Sequence, residues 1–152
     1  MKVVLDADLL STFARIKRLD ILSNLFNQIL VPRSVVSELG KAQINTDGFK
    51  NSVVVKLTRD ELLSLKKMDS RLGWGERECL AIARYRNVPL ASNDKLVHLT
   101  CKEQEVDYFT LPRLLRFAIL RNLINREEAR KLVVLIEREE RTVIKESKEI
   151  FK

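Results

Sequence analysis

Four stretches of this chain deliver a carboxylate where an apolar run stops or a helix turns. Val3-Val4-Leu5 ends on Asp6, with Asp8 one residue further on. Glu38 lies in Val35-Val36-Ser37-Glu38-Leu39, Glu76 and Glu78 follow Gly73-Trp74-Gly75, and Asp94 closes Leu90-Ala91-Ser92-Asn93-Asp94. Carboxylates that converge without compensating Lys or Arg repel one another and resist ionisation. A divalent cation removes that conflict, and carboxylate and water oxygens suit Mg²⁺ or Mn²⁺ rather than zinc. Such an ion activates a water and neutralises charge building on a phosphate during in-line attack. Each acid also has a plainer role. Asp6, Asp8 and Asp94 are good helix N-caps, Glu76 suits a helix N-terminus, and Glu38 reads alone as a surface residue. The set says more than its members do.

The elements that must position these acids alternate along the chain. Apolar runs at 3–6, 28–32, 52–57, 88–94 and 106–110 read as strands. Helical patterns read at 8–16, 19–26, 32–41, 58–68, 76–86, 94–104, 111–123 and 126–144. Pro32 opens one helix and Gly40 closes it. Thr58 with Glu61 three residues on forms a capping box. Strands alternating with helices predict an α/β fold: a central, mostly parallel five-stranded sheet between helical layers, with right-handed crossovers. In such sheets ligands bind at the carboxyl ends of the strands, where Asp6 and Asp94 fall. Arg77 and Arg84 mark the solvent face of the 76–86 helix, and Glu76 and Glu78 flank the opposite face about equally. Periodicity therefore leaves the third acid open between them.

The 152 residues fit one domain, with a core over about 1–123 and a helical region over about 125–150. Cys79, Cys101 and His98, the only cysteines and the only histidine, match no zinc spacing and no disulfide framework. They point to a reducing cytoplasm, and no run reads as a signal peptide or a membrane span. The net charge of +7 is spread over both halves: 12 Lys and Arg against 9 Asp and Glu in residues 1–76, and 16 against 12 in 77–152. It suits a polyanionic partner held through its phosphates and equally a solubility charge.

The stretches VVLDADLLSTFARIKRLDIL, ILVPRSVVSEL and GERECLAIARYRNVPLASND, in this order and spacing, resemble a PIN domain. That family is a metal-dependent ribonuclease fold and includes the VapC-type toxins of toxin–antitoxin pairs. The resemblance covers residue 3 to about residue 104. It implies that Asp6, Glu38, Glu76 and Asp94 are the catalytic, metal-holding acids. Glu76 is preferred to Glu78 because it directly follows Gly75. It further implies Mg²⁺ or Mn²⁺, an RNA substrate, an antitoxin partner and a homodimer. Two positions depart from the family: Asp8 stands where a small hydroxyl residue is usual, and Asn93 where a second Asp is frequent. Asp8, Ser92, Asn93 and Glu78 are then residues beside the site that adjust it. Asp8 in particular is expected to sit behind the ligands or to cap a helix.

Arg33, Lys95 and Arg71 are candidate phosphate contacts, and solvated surface charge is the alternative for each. Trp74 could stack on a base, although packing within its loop is the simpler reading. His98, one helical turn past Asp94, reads as a partly buried structural histidine, and Cys79 reads as core. Two other functions stay open. A strand ending Asp6-x-Asp8 resembles the first motif of haloacid-dehalogenase phosphatases, with Asp6 as nucleophile and Asp8 as acid. No Gly-Asp-x-x-x-Asp follows the fourth strand, which counts against it. The third reading is a PIN-like module that binds RNA or protein without catalysis, against which the intact set of four acids argues.

Overall fold

The computed structural model describes residues 1–152. The chain order is β1 (Lys2–Leu5), α1 (Ala7–Arg15), α2 (Leu19–Leu25), β2 (Gln28–Pro32), α3 (Arg33–Lys41), β3 (Ser52–Val55), α4 (Arg59–Leu65), α5 (Trp74–Arg86), β4 (Leu90–Ala91), α6 (Lys95–Glu103), β5 (Tyr108–Phe109), α7 (Leu111–Leu120), α8 (Arg126–Glu140) and a 3₁₀ turn over Ser147–Phe151. The strands form one sheet in the order β3-β2-β1-β4-β5, and every ladder in it is parallel. No helix is long and apolar enough to cross a membrane.

Strand β1 is central because it is apolar on both faces. Successive strand residues point to opposite faces, yet Val3, Val4 and Leu5 are all fully buried. Only helices on both sides of the sheet can cover such a strand. Helix α5 packs on β1 and β2 and against α3. The same apolar core continues from Val3 to Ile150, so the C-terminal helices and the 3₁₀ turn close over it.

The topology singles out one place. From β1 the chain adds β2 and then β3 on one side, then crosses back to lay β4 and β5 on the other. Neighbouring strands β1 and β4 thus send their following loops apart, and a crevice opens above their carboxyl ends. The register pairs Leu5 with Ala91. Asp6 follows the first of these strands and Ser92-Asn93-Asp94 follows the second.

Several elements differ from the sequence reading. Strands β4 and β5 have two residues each where longer runs were expected. Pro89 cannot donate to a ladder, and after Ala91 the chain turns away to cap α6. Helix α5 starts at Trp74 instead of Glu76, because extended Gly73 serves as N-cap and Trp74 and Gly75 are already helical. Helix α8 stops at Glu140, where Arg141 takes a left-handed conformation (φ 51°) and its N–H returns to the Glu137 carbonyl. The capping box at α4 is present: Glu61 N–H donates to Thr58 Oγ1 at 3.2 Å and Thr58 N–H to Glu61 Oε1 at 2.8 Å. Glu61 is 1% exposed and takes two hydrogen bonds of 2.9 Å from Arg86 at the far end of α5. Burial alone would raise its pKa; Arg86 and the Thr58 N–H more than offset this and hold it below the ordinary value.

Candidate active site

Asp6 is placed by the sheet and oriented by the helix that follows. Its backbone N–H donates to the Ala91 carbonyl at 3.3 Å, one step beyond the β1–β4 ladder. Its conformation is extended, and its Oδ1 accepts the Leu9 N–H at 3.0 Å, which makes it the N-cap of α1. The side chain is only 4% exposed. Burial pushes its pKa up to about 7, against the pull of the Ser92 hydroxyl and the Leu9 N–H and with the help of the Asp8 and Glu76 charges.

Asp94 is the N-cap of α6, its Oδ1 accepting the Val97 N–H at 3.0 Å. The loop that carries it is held from several directions. The Asp94 N–H donates to Ser92 Oγ at 3.1 Å, and the Ser92 N–H donates to the Phe109 carbonyl at 3.0 Å. His98 Nε2 donates to the Ser92 carbonyl at 2.6 Å while its ring stacks on Tyr108 with centroids 4.8 Å apart. His98 is thus the structural histidine the sequence suggests, and its task is to hold the loop between two of the acids.

Glu38 and Glu76 reach the same crevice from helices. At Gly75 helices α3 and α5 lie close: a methyl group added there would meet Ser34 Oγ at 3.6 Å and Glu38 Oε2 at 3.8 Å, ordinary van der Waals contact. Burial raises the Glu76 pKa most. The Asp94 charge raises it next, the Gly73 N–H opposes the rise, and Asp8 and Glu38 add smaller pushes. Glu76 therefore feels Asp94, Asp8 and Glu38, while Asp6 feels Asp8 and Glu76. None of these five acids has a Lys or Arg ion pair. Beneath them Cys79 is fully buried with its thiol 3.7 Å from the Leu5 carbonyl, and burial, then the Asp6 charge, keeps it protonated.

Glu76 and Glu78 sit in different surroundings. Glu76 shares the field of the other acids, whereas Glu78 is 8% exposed with Oε1 buried and without a partner. Asp8 is exposed in the first turn of α1, and the capping role considered for it belongs to Asp6. Asn93 is exposed beside Asp94. Trp74 is 53% exposed with the Arg77 guanidinium 5.7 Å from its ring centre, so it is not packed into a loop. Arg71 is tied to Asp69 at 2.6 Å and is no free phosphate contact. Arg33 and Lys95 are exposed and make no ion pair.

Sequence reasoning missed Ser34. It precedes Glu38 by one helical turn, and its buried hydroxyl has no partner; a Ser at i−4 from a suspected ligand is the only signal the sequence offers. The acids perturb one another but are not drawn onto one point: no three Asp, Glu, His or Cys groups are close enough together to hold an ion. In chemical kind, though not in spacing, the donors suit a hard divalent cation. They are all carboxylates, lack compensating bases, and have an unpartnered hydroxyl beside them.

Comparison with known proteins agrees with this fold. The family model DUF3368, described as a PIN domain, matches residues 2–149. A PilT N-terminus domain protein from the hyperthermophilic archaeon Sulfolobus solfataricus P2 has a similar structure, with a TM-score of 0.54 and 21% sequence identity over 75% of this chain and 90% of that one. A search of curated proteins finds no match.

Proposed function

This chain belongs to the PIN domain family, generally a nuclease fold, and on that premise we propose that it is a Mg²⁺- or Mn²⁺-dependent endoribonuclease. The observation that carries the reading is the group of unpaired, mutually perturbing carboxylates at the point where the strand order reverses. Asp6, Glu38, Glu76 and Asp94 are the residues that would hold the cation. When bound, such an ion supplies charge neutralisation on the phosphate and an acidified water.

The chain's own residues do the positioning. Leu9 N–H fixes the Asp6 carboxylate, and the Ser92 hydroxyl favours its charged form. Val97 N–H fixes Asp94, and His98 fixes the loop between them. Glu38 and Glu76 close the site from α3 and α5, which pack side by side. The net charge of +7 favours a nucleic-acid strand over a neutral substrate.

The resemblance to VapC-type proteins supports a finer reading: a cytoplasmic toxin, active as a homodimer and neutralised by an antitoxin. Family membership removes the support for the phosphatase reading, and Asp8, exposed on α1, is not held as a partner of Asp6. The test is cleavage of single-stranded RNA by purified protein with Mn²⁺ or Mg²⁺. Wild type is expected to cut only with metal present, and Asp6→Asn is expected not to cut. Wild type that leaves RNA intact under all these conditions overturns the reading. RNA binding that survives loss of both Asp6 and Asp94 in such a protein would mark a non-catalytic module.

A further inference from the structure

Beside the carboxylates lies a site of opposite chemistry. Helix α6, Thr12 of α1, the start of α7, the end of α8 and the segment 142–146 that follows it line a cavity of about 390 Å³, and Asn93 and Lys95, on either side of Asp94, are among its lining residues. Lys95 and Lys145 both line it, and neither has an acidic partner. The two ammonium groups are near neighbours, and Lys95 holds the Lys145 pKa below its ordinary value. The acids of the wall do not answer them. Glu140 is engaged by the Thr12 hydroxyl at 2.8 Å and by Arg15 at 3.5 Å, and Glu146 is exposed without an ion pair.

Holding two like charges together costs energy unless an anion comes between them. The fold accepts that cost in a concave place. Lys145 is brought there by a segment anchored in the core through Ile144 and Ile150, 7% and 1% exposed. The geometry points to a phosphate subsite: Lys95 and Lys145 together grip the RNA backbone at a phosphate next to the one presented to the acids. The proposal rests on the nuclease reading for the identity of the strand. Lysine binds phosphate as a point charge, and Lys95 directly follows Asp94, so the cavity wall begins one residue from a carboxylate of the site. The segment that follows α8 thereby becomes part of the substrate site.

The test uses the full chain carrying Asp6→Asn, so that binding is read without cutting. Binding of a fluorescent single-stranded RNA is measured with Mg²⁺ over a range of salt. Adding Lys95→Ala or Lys145→Ala is expected to weaken binding about tenfold each, and to reduce the steepness of log K against log salt by about 0.7 for each phosphate no longer neutralised. Lys145→Arg is expected to restore both. Lys148→Ala, an exposed change on the neighbouring 3₁₀ turn, is the control for diffuse charge and is expected to do neither. Unchanged affinity and slope in Lys95→Ala and Lys145→Ala overturn the inference. So does an equal loss in the control, or RNA that never binds. Wild type that cuts RNA while the two lysine variants bind normally leaves the nuclease reading standing without this subsite. Binding that depends on both lysines in a protein that never cuts does the reverse.

Discussion

One carboxylate oxygen of Asp6 accepts the Leu9 N–H at 3.0 Å, so the same buried side chain caps α1 and belongs to the field of acids. The two roles separate by mutation. Asparagine is as good an N-cap as aspartate, so Asp6→Asn is expected to keep the fold and lose at least 100-fold in RNA cleavage. Asp6→Ala loses the cap as well, at a further cost of about 1 kcal/mol in urea unfolding. Equal stability of the two variants would show that the Leu9 bond contributes nothing.

The same carboxylate makes metal-free stability depend on pH. Its folded pKa is raised from 3.8 to about 7, so the folded chain holds this proton more tightly than the unfolded one. The contribution is fully present below the unfolded pKa and is lost as pH rises from about 4 to about 7, to a limit of about 4 kcal/mol. Glu76, also raised, acts in the same direction. Urea unfolding in EDTA at several pH values is expected to show wild type weakening toward neutrality, Asp6→Asn weakening much less, and added Mg²⁺ restoring wild type near pH 8. An identical slope in wild type and Asp6→Asn would refute the assignment.

Glu76 and Glu78 are two residues apart and are expected to answer oppositely. Glu76→Gln removes a charge that Asp94, Asp8 and Glu38 all perturb, and should lower cleavage at least 30-fold and weaken Mn²⁺ binding by titration calorimetry. Glu78→Gln removes a buried, unpartnered charge. It should leave cleavage within a few-fold and stability unchanged or higher by about 1 kcal/mol. The reverse pattern would move the third acid to Glu78.

Asp8 is exposed and makes no side-chain hydrogen bond or ion pair, but it lies in the first turn of α1. Asp8→Ser is therefore expected to cost about 0.5 kcal/mol through the missing helix-terminus charge and to leave RNA cleavage largely intact. Cleavage as low as in Asp6→Asn would place Asp8 among the metal ligands.

Arg86 stabilises the fold from the other end of α5. Its two hydrogen bonds to Glu61 and a third to the Lys56 carbonyl, each 2.9 Å, join α4, α5 and the turn before α4. Arg86→Ala leaves Glu61 buried without its cation and should cost about 3 kcal/mol, with kcat unchanged at temperatures where the variant stays folded. A loss below about 1 kcal/mol in urea unfolding would mean that water replaces the guanidinium.

Local chemistry made much of this legible. Val3-Val4-Leu5 followed by Asp6 is a buried strand ending in a polar residue, and strands have to end that way when the chain leaves a sheet covered on both faces. Thr58 with Glu61 and the Asn125 cap of α8 are settled within four residues. The parallel sheet followed from the alternation of elements, and the carboxyl edge followed from the sheet. What the sequence could not determine is set by contacts between distant segments. The coupling of Glu76 to Glu38 depends on α5 packing beside α3, and no helical period carries that. The meeting of Lys95 and Lys145, 50 positions apart, depends on Ile144 and Ile150 returning to the core beyond α8. The sequence by itself determined which side chains could do chemistry, because that is a property of residue type and local conformation. The tertiary structure decided which of them share an electrostatic field, because charge interactions fall with distance through space and take no account of separation along the chain.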